Sequence, residues 1–159
     1  MADDSSVPMA QLEILKGADA EHVVGGLRFL ACRREVGGID GGISLYVWAA
    51  LPDESRELLR FDLFRERPHY HAPAETQAET RIDAERHPDS TSWGVEALTT
   101  RAPEFVTQAG YPEIAQRLDA QALAAAAPRL EAMFAGLGEP TERSVFEIPQ
   151  SVLDGLAAG

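Results

Sequence analysis

The sequence predicts an α+β fold in which an antiparallel sheet formed by the N-terminal half packs against C-terminal helices. Apolar residues alternate along several segments before His87, and glycine- or proline-containing turns separate those segments. After His87 the apolar residues recur at helical spacing. A chain of 159 residues corresponds to one domain. We therefore expect a disordered polar tail at residues 1–9 and a single α+β domain at residues 10–159.

The N-terminal half contains segments with the alternation typical of strands. They lie at residues 12–15, 22–36, 43–51, 58–64 and 80–84. The pair Gly25-Gly26 predicts a bulge or kink inside the second segment. The glycine-rich stretch from Gly37 to Gly42 predicts a turn between two strands. Strands joined in sequence by turns favour an antiparallel meander.

The C-terminal half contains helix-starting and helix-breaking residues at regular intervals. Asp89, Ser90 or Thr91 can cap a first helix, and Asp119 can cap a later one. Prolines are expected to begin or divide helices at positions 103, 112 and 128. A strand at residues 145–148 and a short helix after Pro149 complete the predicted elements.

Charge and composition exclude several classes of function. The formal net charge of −12 argues against binding to nucleic acids or to anionic lipid surfaces. The single Cys32 cannot form an internal disulfide, and the longest apolar run, Ile43 to Leu51, is too short to span a bilayer. With no secretory pattern at the N-terminus, we expect a cytoplasmic protein. A protein partner or a homo-oligomer is compatible with this composition.

Two histidines form the most distinctive local pattern. His69 and His71 stand at i and i+2, so a strand would project both imidazoles from the same face. Glu75 could supply an oxygen ligand, and Asp62 and His87 are further candidates nearby in sequence. Two imidazoles and a carboxylate can hold zinc, iron, manganese or nickel. The alternative is a structural pair that hydrogen-bonds carboxylates or backbone groups.

The spacing His-x-His-x3-Glu at residues 69–75 resembles part of the first metal motif of cupins. The glycines that flank the cupin motif are absent, and its second motif has no counterpart in this sequence. The resemblance therefore implies a metal only weakly and does not imply the cupin fold.

A longer stretch, from Arg60-Phe61-Asp62 to Pro68-His69-Tyr70-His71, resembles a family of small bacterial proteins of unknown function. The resemblance continues through Ser92-Trp93 and Gly110-Tyr111, so it covers most of the chain. It implies that the segment is a unit and implies no activity.

Arginines on the predicted strands suggest a second kind of site. Arg60 lies on the polar side of one strand, and Arg28 and Arg34 share a face of another. Together with Tyr70 they could bind a small anion. Pairing with carboxylates across neighbouring strands is the alternative interpretation.

Three functions remain open from the sequence. The absence of nucleophile-elbow, Cys-x-x-Cys, His-Glu-x-x-His and Walker motifs favours a non-catalytic accessory or binding protein. The second hypothesis is a metal-binding protein or small metal-dependent enzyme that uses His69 and His71. The third is a binder of small anionic ligands that uses the strand arginines. The sequence does not decide whether the protein is an enzyme, and the one cofactor it suggests is a divalent transition metal.

Overall fold

A computed structural model describes residues 7–157 of the chain. Its strands are β1 (Met9–Lys16), β2 (Ala20–Val24), β3 (Leu27–Val36), β4 (Asp40–Ala49), β5 (Glu57–Phe64), β6 (His69–His71), β7 (Thr80–Arg81) and β8 (Glu142–Pro149). Its helices are α1 (Ser90–Thr100), α2 (Ala102–Gln108), α3 (Pro112–Gln116), α4 (Ala120–Ala125), α5 (Ala127–Ala135) and α6 (Gln150–Ala157). The predicted α+β fold is confirmed.

All eight strands form one antiparallel sheet. The strand order is β7-β6-β5-β4-β3-β1-β8. Strand β2 lies off this path and pairs with β3, which also pairs with β1. Strands β3 to β7 follow one another as a meander, since each pairs with the next and the connections are at most eight residues long. The consequence for the site is that β4, β5 and β6 lie side by side in sequence order.

One face of the sheet forms the hydrophobic core with the helices. Phe29, Leu45 and Phe61 are fully buried on this face, and Leu98 of α1 is fully buried among them. Phe61 stacks on Tyr70 and meets Phe105 of α2 edge to face, with ring centroids 5.0 and 5.5 Å apart. Burial of each such side chain stabilises the fold by about 1.5–3 kcal/mol. The sheet therefore has a fixed inner face, and its opposite face presents the alternate residues.

The helices begin at or next to the residues that the sequence predicts. Asp89 caps α1 by accepting a hydrogen bond from the backbone N–H of Ser92, and Asp119 caps α4 in the same way. Prolines lie in the first turns of α2, α3 and α5. These prolines start new helices because they lack the N–H that a continuing helix would need.

Two predictions differ in detail from the structure. Gly25 and Gly26 form the turn of a β2–β3 hairpin rather than a bulge, with φ angles of 63° and 91°. These positive φ angles suit glycine and reverse the chain. Of the tail predicted at residues 1–9, residues 1–6 lie outside the described residues. Its last residue, Met9, is the first residue of β1.

No helix within residues 7–157 has the length and apolar character needed to cross a membrane.

Candidate metal centre

A row of polar side chains crosses the sheet on the face opposite the core. Antiparallel pairing places Cys32 opposite Ser44, Ser44 opposite Asp62 and Asp62 opposite His69. Directly opposed residues in an antiparallel sheet point to the same face. The side chain of His71 points to the same face, because His71 lies two residues beyond His69 on β6. We call Asp62, His69 and His71 the triad.

The three side chains of the triad converge on one point. Asp62 Oδ2 lies 3.0 Å from His69 Nε2 and 4.0 Å from His71 Nε2. One ligand atom from each residue can be chosen so that all three lie within 4.8 Å of one another. The side chains are largely shielded from solvent, with exposed fractions of 6 % for Asp62, 11 % for His69 and 13 % for His71.

Each imidazole of the triad is oriented by a hydrogen bond on its far side. His69 Nδ1 donates to the carbonyl oxygen of Arg67 at 2.9 Å. His71 Nδ1 faces the carbonyl oxygens of Thr76 and Ala78 at 2.9 and 3.1 Å. A carbonyl oxygen only accepts, so Nδ1 carries the hydrogen in both rings. In the neutral rings the lone pair is therefore on Nε2, which points into the triad, as in most histidines that bind metals.

The carboxylate of Asp62 is oriented in the same manner. Ser44 Oγ donates to Asp62 Oδ1 at 2.9 Å, and this bond is buried. The second oxygen, Oδ2, faces both histidines. Arg60 Nε lies 3.8 Å from that oxygen. The arrangement leaves Oδ2 as the oxygen that would meet a metal ion.

The spacing of these atoms is close to that of a metal coordination sphere. Ligands about 2.1 Å from an ion, at angles of roughly 90–110°, lie about 3.0–3.4 Å apart. The Asp62–His69 separation of 3.0 Å falls within this range. His71 Nε2, at 4.0 Å from Asp62 Oδ2, would approach by about 0.6–1.0 Å on binding.

Protons and metal ions would compete for the triad. Burial disfavours the charged form of Asp62, but the hydrogen bond from His69, the charge of Arg60 and the Ser44 bond together hold its pKa below the usual 3.8. Burial also disfavours protonation of His69, yet its contacts with Asp62 and with the Arg67 carbonyl raise its pKa above the usual 6.5. A metal ion bound to Nε2 would therefore displace a proton.

Glu79 extends the triad on one side. Its Oε2 lies 3.5 Å from His69 Nε2, while its Oε1 accepts a hydrogen bond from Arg67 Nε at 3.0 Å and lies 2.8 Å from Arg67 Nη2. Arg67 thus holds one oxygen and leaves the other facing the triad. Glu79 is not one of the three residues whose ligand atoms converge, so this geometry suits it for a proton acceptor beside the triad.

Two predicted ligands lie elsewhere. Glu75 is exposed and does not join the triad. His87 packs against Trp93, with ring centroids 5.9 Å apart, at the start of α1. The resemblance to the cupin motif is therefore limited to the histidine pair, because Glu75, at the position of the motif's glutamate, is exposed to solvent.

The predicted anion-binding residues separate in the same way. Arg60 lies next to the triad, whereas Arg28 lies beside Glu21, with Arg28 Nε 3.5 Å from Glu21 Oε2. Tyr70 belongs to the core face, where its hydroxyl donates to Gln108 at 3.2 Å. Tyr70 therefore does not line one site with the arginines. The buried thiol of Cys32 has a pKa raised mainly by burial and is not a member of the triad.

Two neighbours of the triad were missed by sequence reasoning, namely Ser44 and Glu79. Ser44 meets Asp62 through the β4–β5 register, which no local pattern reveals. Glu79 precedes the paired residue Thr80, which lies opposite Tyr70. Continuing this register by one residue places Glu79 opposite His71, so recognition of the β6–β7 hairpin would have found it.

The fold and the site define a small α+β protein with a candidate mononuclear metal centre on the polar face of its sheet. Residues 18–134 match the family model described as Domain of unknown function (DUF7700), so the chain belongs to that family. The match spans the whole triad, and it confirms the resemblance to an uncharacterised family. No curated protein and no solved structure matches the chain.

Proposed function

We propose that this protein binds one divalent transition-metal ion through Asp62, His69 and His71 and acts as a small metal-dependent enzyme. The supporting observation is that the three ligand atoms lie within 4.8 Å while the other polar atom of each side chain is already hydrogen-bonded. A purely structural histidine pair would not need both Nε2 atoms to face the same carboxylate oxygen.

The donor set indicates the chemistry. Two imidazoles and one carboxylate suit zinc, iron, manganese or nickel, and three protein ligands leave coordination positions open. Open positions allow an ion to polarise a substrate oxygen or to activate water. Glu79, held by Arg67, is placed to accept a proton from a group bound there. This geometry reverses the preference that the missing motifs gave to a non-catalytic accessory protein.

Elemental analysis tests the proposal. Protein purified without a histidine tag is expected to carry, or to take up from zinc, iron, manganese or nickel salts, about one ion per chain. The double variant His69→Ala/His71→Ala is expected to lose this ion while keeping its near-ultraviolet circular dichroism. The matched control is His87→Ala, which removes a histidine outside the triad and should retain the metal.

Thermal unfolding provides an independent readout. An ion that binds only the folded chain stabilises it by about 2.7 kcal/mol at 100 times its dissociation constant. The parent and His87→Ala should gain this stability on metal addition, and the double variant should not. A parent protein that takes up none of the four ions, or a double variant that binds as well as the parent, would contradict the proposal.

A further inference from the structure

Beside the triad, on the same face of the sheet, lie Arg34, Tyr46 and Arg60, which we call the arginine–tyrosine cluster. The Arg60 guanidinium carbon lies 5.4 Å from the centre of the Tyr46 ring. Arg34 Nη2 donates to the Tyr46 hydroxyl at 3.0 Å. Tyr46 lies directly opposite Arg60 in the β4–β5 register, and Arg60 lies directly opposite His71 in the β5–β6 register. The cluster and the triad are thus parts of one continuous surface.

The cluster contains guanidinium groups that the protein does not satisfy. The Nε atoms of Arg34 and Arg60 are buried and have no hydrogen-bond partner among residues 7–157. Within the same residues, Arg34 forms no ion pair, and the carboxylate near Arg60 is that of Asp62, 3.8 Å away. The Nε atoms of Arg28 and Arg33, outside the cluster, are in the same state, so this feature alone does not mark a binding site. The Arg60 side chain is 36 % exposed, and a ligand can accept hydrogen bonds from its terminal Nη atoms, which are not among the buried atoms.

The charges around the triad favour an anion. A divalent ion held by neutral imidazoles and one carboxylate keeps about one positive charge, and Arg60 and Arg34 add two more. Glu79 does not offset these charges, because Arg67 already pairs with it at 2.8 Å. The metal-bound triad would therefore be a positive region on a protein whose formal net charge is −12.

We infer that, given the proposed metal site, the arginine–tyrosine cluster binds the carboxylate of a small organic acid, with one carboxylate oxygen on Arg60 and the other on the metal ion. A carboxylate is favoured over a phosphate because the cluster offers side-chain donors in the middle of strands. Phosphate sites are usually built from backbone N–H groups at helix N-termini or glycine-rich loops. Helices α1 to α5 belong to the C-terminal half that packs on the other face of the sheet.

The test uses the protein loaded with Co²⁺, whose visible absorption reports changes in its ligands. Benzoate is the carboxylate probe and inorganic phosphate is the competing anion. We expect benzoate to change the spectrum saturably and to bind more tightly than phosphate. The variant Arg60→Gln should weaken benzoate binding at least tenfold, while Co²⁺ affinity stays the same or rises because a positive charge is removed beside Asp62. A merely structural role for Arg60 would not produce this split.

The matched control is Arg56→Gln. Arg56 also lies 5.4 Å from the centre of a tyrosine ring, that of Tyr111, and its Nε lies 3.0 Å from Glu54, but it is remote from the triad. This variant should bind benzoate like the parent. A parent that takes up no Co²⁺ would overturn the proposed function and this inference with it. Co²⁺ uptake with no response to benzoate, tighter binding of phosphate, or an Arg60→Gln variant equal to the parent would overturn this inference alone.

Discussion

At the scale of residues, the triad is defined by what holds each ligand from behind. Ser44 occupies one oxygen of Asp62, and backbone carbonyl groups occupy the Nδ1 atoms of His69 and His71. Such outer contacts fix the orientation of a ligand and remove the freedom it would otherwise lose on binding. The metal-facing atoms are therefore arranged before any ion arrives.

Ser44→Ala tests the importance of this outer contact. The substitution removes the hydrogen bond to Asp62 Oδ1, so Asp62 can rotate, and metal affinity should fall about 10–100-fold. Stability of the metal-free protein should fall by about 1–3 kcal/mol, because a buried acceptor loses its partner. Competition titration with a chromogenic chelator measures the affinity, and urea unfolding measures the stability.

Ser90→Ala is the control for that experiment. Ser90 is also buried and also donates one hydrogen bond, to the carbonyl oxygen of Phe64 at 3.2 Å. The substitution Ser90→Ala should lower the free energy of unfolding by a similar amount and leave the metal affinity within about threefold of that of the parent. Equal loss of affinity in both variants would show that Ser44 acts only through general stability.

The sequence predicted part of this site for a simple physical reason. The two-residue period of a strand puts His69 and His71 on one face wherever the strand lies, so this pair could be named in advance. Asp62 was named only as a neighbour in sequence. Ser44 and Glu79 could not be found, because cross-strand register depends on turn geometry and on tertiary packing. Spacing along the chain points to Glu75 and not to Glu79, because it takes no account of the hairpin.

At the scale of elements, turns and caps decide where the polar face is placed. The Asp40 carboxylate accepts hydrogen bonds from the backbone N–H groups of Gly41, Glu66 and Arg67, which ties the β5–β6 connection to the start of β4. This connection carries the Arg67 carbonyl that orients His69. The helix boundaries were predictable because prolines and capping aspartates are local signals, whereas the Gly25-Gly26 hairpin was not distinguished from a bulge because both use positive φ angles.

The cap of α1 makes a pH-dependent contribution to stability. Hydrogen bonds from the backbone N–H and the hydroxyl of Ser92 hold the pKa of Asp89 below its usual 3.8. A carboxyl group whose pKa is lower in the folded state contributes its full stabilisation of the fold above its unfolded pKa of about 3.9. This contribution disappears as the pH falls through the pKa of the folded state. Asp89→Ala should therefore cost about 1 kcal/mol at pH 7 and clearly less near pH 2.

The isosteric variant Asp89→Asn separates the charge from the hydrogen bond. Asparagine caps helices about as well as aspartate, so Asp89→Asn should remain within about 0.5 kcal/mol of the parent at pH 7. Its stability should also vary less than that of the parent between pH 5 and pH 2. Chemical denaturation at several pH values measures both effects, and a constant cost of Asp89→Ala across this range would contradict the argument.

At the scale of the whole molecule, β8 and α6 stand apart from the rest of the chain in both the family match and the packing. The match covers residues 18–134, so β1, β8 and α6 lie outside it, and of these β1 pairs with β3 and buries Leu12. Apart from the half-buried Ile148, every residue of β8 is exposed, and α6 contains no buried residue. Phe146, for example, has an exposed fraction of 50 %. The triad, in contrast, lies on β5 and β6, and β5 pairs with the central strand β4.

This division predicts uneven stability that amide hydrogen exchange can measure. Detaching β8 from β1 breaks backbone hydrogen bonds but exposes little apolar surface, whereas opening β4 would expose the core. Amides of β8 should therefore exchange through local opening, with a free energy at least about 2 kcal/mol below that of β4, or about 30-fold faster under equilibrium exchange. Metal loading should slow exchange in β4 and β5 and leave β8 unchanged. Equal protection of β8 and β4 would instead show that the C-terminal strand belongs to the same cooperative unit as the triad.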